Sequence, residues 1–311
     1  MSYDYREFTY PSADGKNTVC AELYIPNDKA AVGAVQLVHG MIDHPGRYKA
    51  MAEYLTANGY IFAAHHQLGH GKTAASSEEL GFFAESCGVE YLVADVLGLN
   101  RYLRNNFPKL PVIIMGHSMG SFVTREYLAK HSHTVRAAVL LGTAGPNPLA
   151  DMGIGVAKLI KKIYGSHHRS ELIRTLAFGS YNNRFPKSEG EWAWLTRDLP
   201  MVADRETDPY TSFTFTVSGY LDLFKMIKEV NSKAWFDGFP KELPTYIAAG
   251  DTDPVGDYGR GVKKVYSELM LRGCSHLTLK LYEGARHELF NEYCREEFFA
   301  ELVEWLRGVT L

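Results

Sequence analysis

Ser118 lies between two glycines in the sequence Gly-His-Ser-Met-Gly (residues 116–120), after a run of apolar residues and before a segment with helical spacing. This order predicts a strand, a sharp turn and a helix. A serine at the tip of such a turn has strained backbone geometry, and a Cβ at Gly116 or Gly120 would collide with nearby chain. The pattern therefore predicts a nucleophile at Ser118, with the N–H of Met119 facing any negative charge that develops there.

A serine nucleophile needs a base, and the base needs an anion that fixes its tautomer. Both are expected just past the ends of later strands, the acid first. The predicted strand Pro244–Gly250 runs into Asp251 and Asp253, and either carboxylate could serve. We favour Asp253, because it lies on the loop beyond the strand end and Pro254 makes that loop rigid. For Asp251 the simpler interpretation is an aspartate that caps a turn.

His287 is the predicted base. Of twelve histidines, it alone lies on a loop past the predicted strand Leu277–Tyr282, which follows the strand of the acid. His117 is expected to pack or hydrogen-bond beneath the nucleophile, because neighbours on such a turn point away from each other. The second oxyanion donor is predicted to be the N–H of Met41, since Gly40 lets the backbone approach closely.

Composition excludes several other classes of function. The 311 residues include 33 basic and 36 acidic side chains, a net charge of −3 that offers no electrostatic footprint for nucleic acid. The four cysteines are far apart and lack zinc-ligand spacing, so they predict reduced thiols in a cytoplasmic protein. No apolar run approaches the roughly 18 residues needed to span a bilayer, and the first residues lack a signal-peptide core. No metal and no organic cofactor are expected.

Strands alternate with helices along most of the chain, which predicts an α/β fold with a mostly parallel sheet of eight strands covered on both faces. The alternation stops after the strand Val135–Leu141. We therefore expect a core formed by residues 1–145 and 239–311 and a helical cap formed by residues 146–238. Helices are predicted within the cap at Ala157–Tyr164, Ser170–Ala177, Gly190–Asp198 and Ser218–Val230.

Twelve of the 59 residues from Phe178 to Phe236 are aromatic, against 39 of 311 in the whole chain. Two interpretations are open: an aromatic-lined cavity for an acyl chain, or aromatics that build the core of a small cap. Polar or amphipathic residues there that could read a substrate head group are Asn183, Arg184, Trp194 and Asp198.

The segment Gly153–Arg169 is basic and amphipathic, with Lys158 and Lys162 among its charged residues. It is typical either of a helix in transient contact with an anionic lipid surface or of a cap helix with one solvated face.

Five segments together resemble an α/β-hydrolase of the monoacylglycerol lipase and lysophospholipase-like group, which is also linked to the serine aminopeptidase family. They are His39–Tyr48, Gly69–Thr73, Gly116–Gly120, Gly250–Asp253 and Tyr282–Glu288. The resemblance implies Ser118 as nucleophile, Asp253 as acid and His287 as base, with Met41 and Met119 as oxyanion donors.

The chain departs from the family pattern at two positions: His66 stands where aspartate is usual, and Asp43 where glutamate is commoner. An aspartate at the first position would tie down the Gly-His-Gly loop by hydrogen bonds.

The sequence predicts a serine hydrolase that cleaves carboxylic esters through an acyl-enzyme, and the resemblance implies a monoacylglycerol or lysophospholipid substrate. One alternative is an aminopeptidase-type amide hydrolase of the same family, which needs a carboxylate in the cap for the substrate's α-amino group. The candidates are Glu189, Glu191, Asp198, Asp204 and Glu206. The other alternative is a non-catalytic binding protein, which predicts decay in the triad, and the sequence contains all three residues.

Overall fold

A computed structural model describes residues 3–310, within which eight strands form one sheet. The strands are β1 (Tyr3–Pro11), β2 (Thr18–Pro26), β3 (Gly33–Val38), β4 (Tyr60–His65), β5 (Val112–His117), β6 (Ala137–Leu141), β7 (Thr245–Gly250) and β8 (Leu277–Tyr282). Their spatial order is β1-β2-β4-β3-β5-β6-β7-β8. The six strands from β4 to β8 in this order are parallel, and β1 and β2 form an antiparallel hairpin at one edge.

Ten α-helices lie within the described residues, and they account for the alternation seen in the sequence. They are α1 (Lys49–Ala57), α2 (Gly88–Asn106), α3 (Met119–His131), α4 (Ala150–Tyr164), α5 (Glu171–Phe178), α6 (Leu199–Thr207), α7 (Val217–Glu229), α8 (Lys233–Gly238), α9 (Arg260–Leu271) and α10 (Arg295–Thr310). Five of them, α4 to α8, belong to the stretch between β6 and β7, which we call the insertion (residues 142–244).

Both faces of the sheet are covered, as the sequence predicts. On one face, residues of α2, α3, α9 and the insertion pack against the strands, with Leu92, Phe122 and Val265 fully or nearly fully buried. On the other face, α1 and α10 supply residues such as Leu55 and Phe298. Every residue of β3 to β7 is buried, which explains why these strands are nearly continuous apolar runs.

The helix predicted at Gly190–Asp198 is wrong: this stretch, which we call the Trp194 segment, consists of turns. Apart from one turn, in which the N–H of Leu195 donates to the carbonyl of Trp192 at 3.0 Å, backbone carbonyls in its second half bond to the loop after β8. The carbonyl of Trp194 accepts from the N–H of His287 at 3.4 Å, and that of Leu195 from Glu288 at 2.8 Å. Tertiary hydrogen bonds therefore override the helical spacing. Two helices that we did not predict, α6 and α8, follow later in the insertion.

Arg125 on α3 fixes the insertion to the core. Its side chain is fully buried and donates to the carbonyls of Ala144, at 3.1 Å, and Val230, and to the side chain of Asn231 at 3.2 Å. The guanidinium carbon lies 4.4 Å from the centre of the Trp235 ring. Burial lowers the pKa of Arg125 to about 9. One side chain thus binds both ends of the insertion.

Within residues 3–310, no helix combines the length and apolar character needed to cross a bilayer.

Candidate active site

Ser118 occupies the tip of a tight turn between β5 and α3, with φ 53° and ψ −123°. A Cβ at Gly116 would lie 2.4 Å from the carbonyl oxygen of Gly120, and a Cβ at Gly120 would lie 2.0 Å from that of Val38. Both contacts are far inside van der Waals distance. The fold therefore shows the steric reason for the two glycines: β5 at Gly116 lies too close to the first turn of α3, and α3 at Gly120 lies too close to the end of β3, for any side chain.

Asp253 and His287 are in contact although 34 residues separate them. The Nδ1 of His287 donates to Oδ2 of Asp253 at 2.8 Å, and the other carboxylate oxygen accepts from the N–H of Val255 at 2.8 Å. Both side chains are buried. Because Nδ1 carries the proton, Nε2 is an acceptor, and within residues 3–310 this buried atom has no hydrogen-bond partner. The arrangement leaves Nε2 of this imidazole with a free lone pair.

Asp251 holds a turn by a hydrogen bond and makes none to His287, as the sequence indicates. Its Oδ1 accepts from the N–H of Gly284 at 2.7 Å, which ties the turn after β7 to the turn after β8. It therefore fixes the two strand ends from which Asp253 and His287 extend.

Met41 and Met119 flank Ser118 in the same cavity. A Cβ at Gly40 would lie 3.3 Å from the Cβ of Ser118, so the loop after β3 passes directly beside the nucleophile turn. Among the described residues, no turn, loop or side-chain hydrogen bond engages the amide of Met41 or that of Met119. Two backbone donors are thus available next to the serine.

A buried polar network lies next to this group. Arg47 donates to both carboxylate oxygens of Glu288, each at 2.7 Å, and to Asp43 at 3.2 Å. The hydroxyl of Tyr48 donates to Asp43 at 2.6 Å and lies 2.8 Å from Nδ1 of His117. Burial, together with the neighbouring His287, lowers the pKa of His117 to about 4. His117 is therefore hydrogen-bonded within the core as predicted.

A cavity of about 1440 Å³ opens over Ser118 and His287. Its lining includes six aromatic residues of the insertion, namely Phe178, Tyr181, Trp192, Trp194, Phe213 and Tyr220. Other aromatics of the insertion, such as Phe215 and Phe236, are buried in its packing. The aromatic excess therefore contributes both to a cavity lining and to the packing of the insertion, and Tyr220 belongs to both.

Comparison with known proteins agrees with this geometry. The family model described as "Serine aminopeptidase, S33" matches residues 29–293. The chain belongs to the serine aminopeptidase S33 family. Its structure is similar to that of a thermostable carboxyl esterase from Bacillus coagulans in complex with glycerol, with 30% identity, full coverage of both chains and a TM-score of 0.93.

Two curated relatives of this S33 chain are lipases. The monoacylglycerol lipase of Mycolicibacterium smegmatis is 27% identical over 278 residues, 88% of each chain. The human monoglyceride lipase is 24% identical over 306 residues, which cover 96% of this chain and 89% of the relative. The predicted α/β-hydrolase fold and the resemblance to monoacylglycerol lipases are thus confirmed.

Of the polar residues proposed to read a head group, only Trp194 lines the cavity of this S33 protein, with its ring centre 5.1 Å from that of His287. Asn183 and Asp198 are not among the lining residues. Asn183 lies next to Asn182, which does line the cavity and accepts from the N–H of Trp194 at 3.1 Å. Asp198 begins α6 and faces Arg295, 3.9 Å away. A binding role for Asn183 or Asp198 has no support in this geometry.

His66, at the position where the sequence resemblance implies an aspartate, makes hydrogen-bond contacts on both sides of its ring. Its Nδ1 accepts from the N–H of Lys72 at 3.3 Å, while Nε2 lies 3.2 Å from a carboxylate oxygen of Glu22. The imidazole therefore ties down the Gly-His-Gly loop in place of a carboxylate.

Several residues of the site carry no sequence signal strong enough to single them out. Arg47 and Glu288 are 241 positions apart, on the loops that follow β3 and β8, and only the folded chain brings these two loops together. The one local signal is that both fall within segments on which the family resemblance rests.

We expect Glu288→Gln to lower the free energy of unfolding by about 3–5 kcal/mol at neutral pH, because the buried Arg47 loses the carboxylate that it binds through two hydrogen bonds and keeps only the longer contact to Asp43. Burial alone would raise the pKa of Glu288, but Arg47 lowers it. The ionised pair therefore stabilises the fold above the pKa of an unfolded glutamate, about 4.3, and this stabilisation is lost as the pH falls through the lower folded-state pKa. Urea denaturation at a series of pH values measures the difference.

The control is Glu304→Gln, at an exposed position on α10, where we expect a change within about 0.5 kcal/mol. The gap between wild type and Glu288→Gln should shrink in acid. A gap of constant size down to about pH 3 would contradict the ionised pair.

Proposed function

We propose that this protein is a serine hydrolase that cleaves carboxylic esters, with Ser118 as nucleophile, His287 as base and Asp253 as the acid that orients the base. The observation that carries the proposal is the hydrogen bond between His287 and Asp253, which leaves Nε2 of the histidine free in the cavity that also contains Ser118. Family membership and the carboxyl esterase neighbour support the reaction class.

In the proposed reaction, the hydroxyl oxygen of Ser118 attacks the ester carbonyl carbon while Nε2 of His287 takes the proton. The negative charge on the carbonyl oxygen is stabilised by the N–H groups of Met41 and Met119. The protonated His287 then gives its proton to the departing alcohol, leaving an acyl group on Ser118. Water, deprotonated by the same nitrogen, attacks this acyl-enzyme. The second intermediate then collapses and releases the acid, while His287 returns the proton to the oxygen of Ser118.

The proposed substrates are monoacylglycerols or lysophospholipids. Two relatives are named monoacylglycerol or monoglyceride lipase, which supports the first. One wall of the cavity is apolar, with Phe122, Phe178, Tyr220, Leu223 and Ile227 among its residues, and is suited to an acyl chain. The lining also includes polar residues, among them Arg47 and Arg205, which are suited to the alcohol part.

We also propose that residues 146–238 act as a cap that touches lipid surfaces. On α4, Met152, Leu159 and Ile163 share one face, and each exposes about half of its surface or more (48%, 59% and 61%). On the neighbouring α5, Leu172 and Leu176 are also exposed, and Lys158 and Lys162 lie beside this face. Exposed apolar residues flanked by lysines are typical of helices that rest on an anionic bilayer.

An aminopeptidase-type activity is the second candidate. Glu191 and Glu206 line the cavity, and a carboxylate there could bind the α-amino group of a peptide. Glu191 already pairs with Arg174 at 2.5 Å, which leaves Glu206 as the better candidate. A non-catalytic role finds no support in a site with an intact hydrogen bond between base and acid.

The test is hydrolysis of a substrate panel by the wild-type protein: monoacylglycerols of several lengths, a lysophospholipid, a short nitrophenyl ester and an aminoacyl naphthylamide. We expect turnover of the esters and labelling of the protein by a fluorophosphonate. Turnover of the amide alone would favour the aminopeptidase, and a protein that neither turns over any of them nor reacts with the probe would contradict serine catalysis.

A further inference from the structure

Arg205 on α6 lines the cavity over Ser118 and forms no salt bridge with any side chain of residues 3–310. Only 4% of the residue is exposed. Its Nη1 donates to the carbonyl of Thr211 at 3.1 Å, and its guanidinium carbon lies 4.1 Å from the centre of the Trp192 ring. Within residues 3–310, Nε is buried without a partner and Nη2 makes no hydrogen bond. These two nitrogens form one edge of the guanidinium, so a complete two-donor fork is unused.

The other arginines that line the cavity are satisfied by the protein itself. Arg47 is paired with Glu288, and Arg174 bonds to two glutamates at 2.7 and 2.5 Å. Arg169 donates to three backbone carbonyls. A buried guanidinium without an anion is costly, because desolvation disfavours its charge. Among these four arginines, and within residues 3–310, Arg205 alone combines a fully buried nitrogen that has no hydrogen-bond partner with the lack of a salt bridge.

Three carboxylates lie near Arg205, and each already has another partner. Asp43 and Glu288 bond to Arg47, and Asp208 accepts from Nε2 of His44 at 2.7 Å. Burial and the nearby Arg47 lower the pKa of Arg205 to about 10, and the three carboxylates offset part of that effect. The arginine is therefore charged at neutral pH. The same carboxylates repel a dianion more than a monoanion, which favours a ligand with a single charge.

We propose that the free edge of Arg205 binds a singly charged oxyanion on the alcohol part of the substrate. This inference rests on the proposed function, since it assumes that the cavity holds an ester with its alcohol part near Arg205. A phosphodiester and a carboxylate both offer two oxygens that share one negative charge, which matches two parallel N–H donors. The preferred esters are then acidic ones, such as lysophospholipids with a singly charged head group, rather than neutral monoacylglycerols.

Binding of the free head group tests this without any turnover. The probes are glycerophosphoglycerol, a phosphodiester, and glycerate, a carboxylate, each titrated calorimetrically into the intact protein. We expect at least one to bind, and Arg205→Met to weaken that binding by about 10- to 100-fold, the range of a charge-assisted pair of hydrogen bonds. The probe that binds shows whether the site prefers a phosphodiester or a carboxylate. If neither binds to the wild-type protein, the proposal is wrong even where esterase activity is found.

Turnover provides a second, independent measurement. The readout is kcat/KM for lysophosphatidylglycerol divided by kcat/KM for the monoacylglycerol with the same acyl chain. We expect Arg205→Met to lower this ratio by about 10- to 100-fold and Arg205→Lys, which keeps the charge but loses the fork, to lower it less.

The matched control for Arg205 is Arg174→Met, which removes a cavity arginine that is already paired with Glu171 and Glu191. An equal fall in the ratio for this control would mean that the total charge of the cavity matters and not the edge of Arg205, and it would overturn the proposal. If no ester is turned over at all, the proposed function fails while the calorimetric result still decides the anion site.

Discussion

Replacing Ser118 with alanine is expected to lower kcat for the preferred ester by about 10⁶, the loss seen when a triad enzyme is deprived of its nucleophile. The fold should be unaffected, because the substitution removes one oxygen and keeps the backbone turn. Ser118 is positioned by its own N–H, which donates to the carbonyl of Leu141 at 2.9 Å, and its carbonyl accepts from Ser121. Neither bond involves its side chain. Steady-state kinetics with a nitrophenyl ester, together with a thermal melt of both proteins, measures the two effects.

The control variant is Ser267→Ala, at an exposed position on α9, for which we expect wild-type kinetics. A fluorophosphonate should label the wild type and Ser267→Ala but not Ser118→Ala. A Ser118→Ala protein that kept more than a small fraction of the turnover would show that another residue is the nucleophile.

Asp253→Asn is expected to lower kcat by about 10⁴, the size of the loss when the acid of a triad becomes an amide. The amide N–H₂ would face Nδ1 of His287, which must then accept, so the proton moves to Nε2 and the base can no longer take the proton of Ser118. Oδ1 of the asparagine can still accept from the N–H of Val255, so the loop should keep its geometry. The measurement is kcat against pH, with a melting temperature as the check on folding.

Asp251→Asn is the matched variant for this prediction, because it changes the neighbouring aspartate in the same way. Its Oδ1 bonds to Gly284 and not to His287, and an amide oxygen can replace that acceptor. We therefore expect a much smaller loss of kcat than for Asp253→Asn. Equal losses, or the reverse order, would reassign the acid.

The sheet and the nucleophile turn could be predicted because each depends on local sequence. Buried parallel strands require continuous apolar runs, and the turn at Ser118 requires glycines at 116 and 120. These signals locate the ends of the strands, and Asp253 and His287 are found just beyond two of those ends. In the structure Nδ1 of His287 lies 2.8 Å from Oδ2 of Asp253. Local sequence patterns can thus predict contacts between distant residues when the fold class fixes how the strands are connected.

The insertion is different, because its residues take their conformation from distant partners. The Trp194 segment has helical spacing, yet its carbonyls bond to the loop of His287 and the helix does not form. Asn182 rather than Asn183 reaches the cavity, a distinction of one position that the sequence alone does not make. The sequence also does not predict the free edge of Arg205, because that edge depends on which hydrogen-bond acceptors lie near the side chain in the folded protein.

The attachment of the Trp194 segment bears on how this protein could be re-engineered or could diverge. Arg286, next to the base, donates to Glu189 at 2.6 Å and to the carbonyl of Ala193 at 2.7 Å, in addition to the two backbone bonds of the segment to His287 and Glu288. The Trp194 segment therefore helps to hold the loop that carries His287. A chimaera that exchanged the whole insertion with that of a relative would also have to exchange Arg286, whereas α4 and α5 could be replaced without altering these contacts.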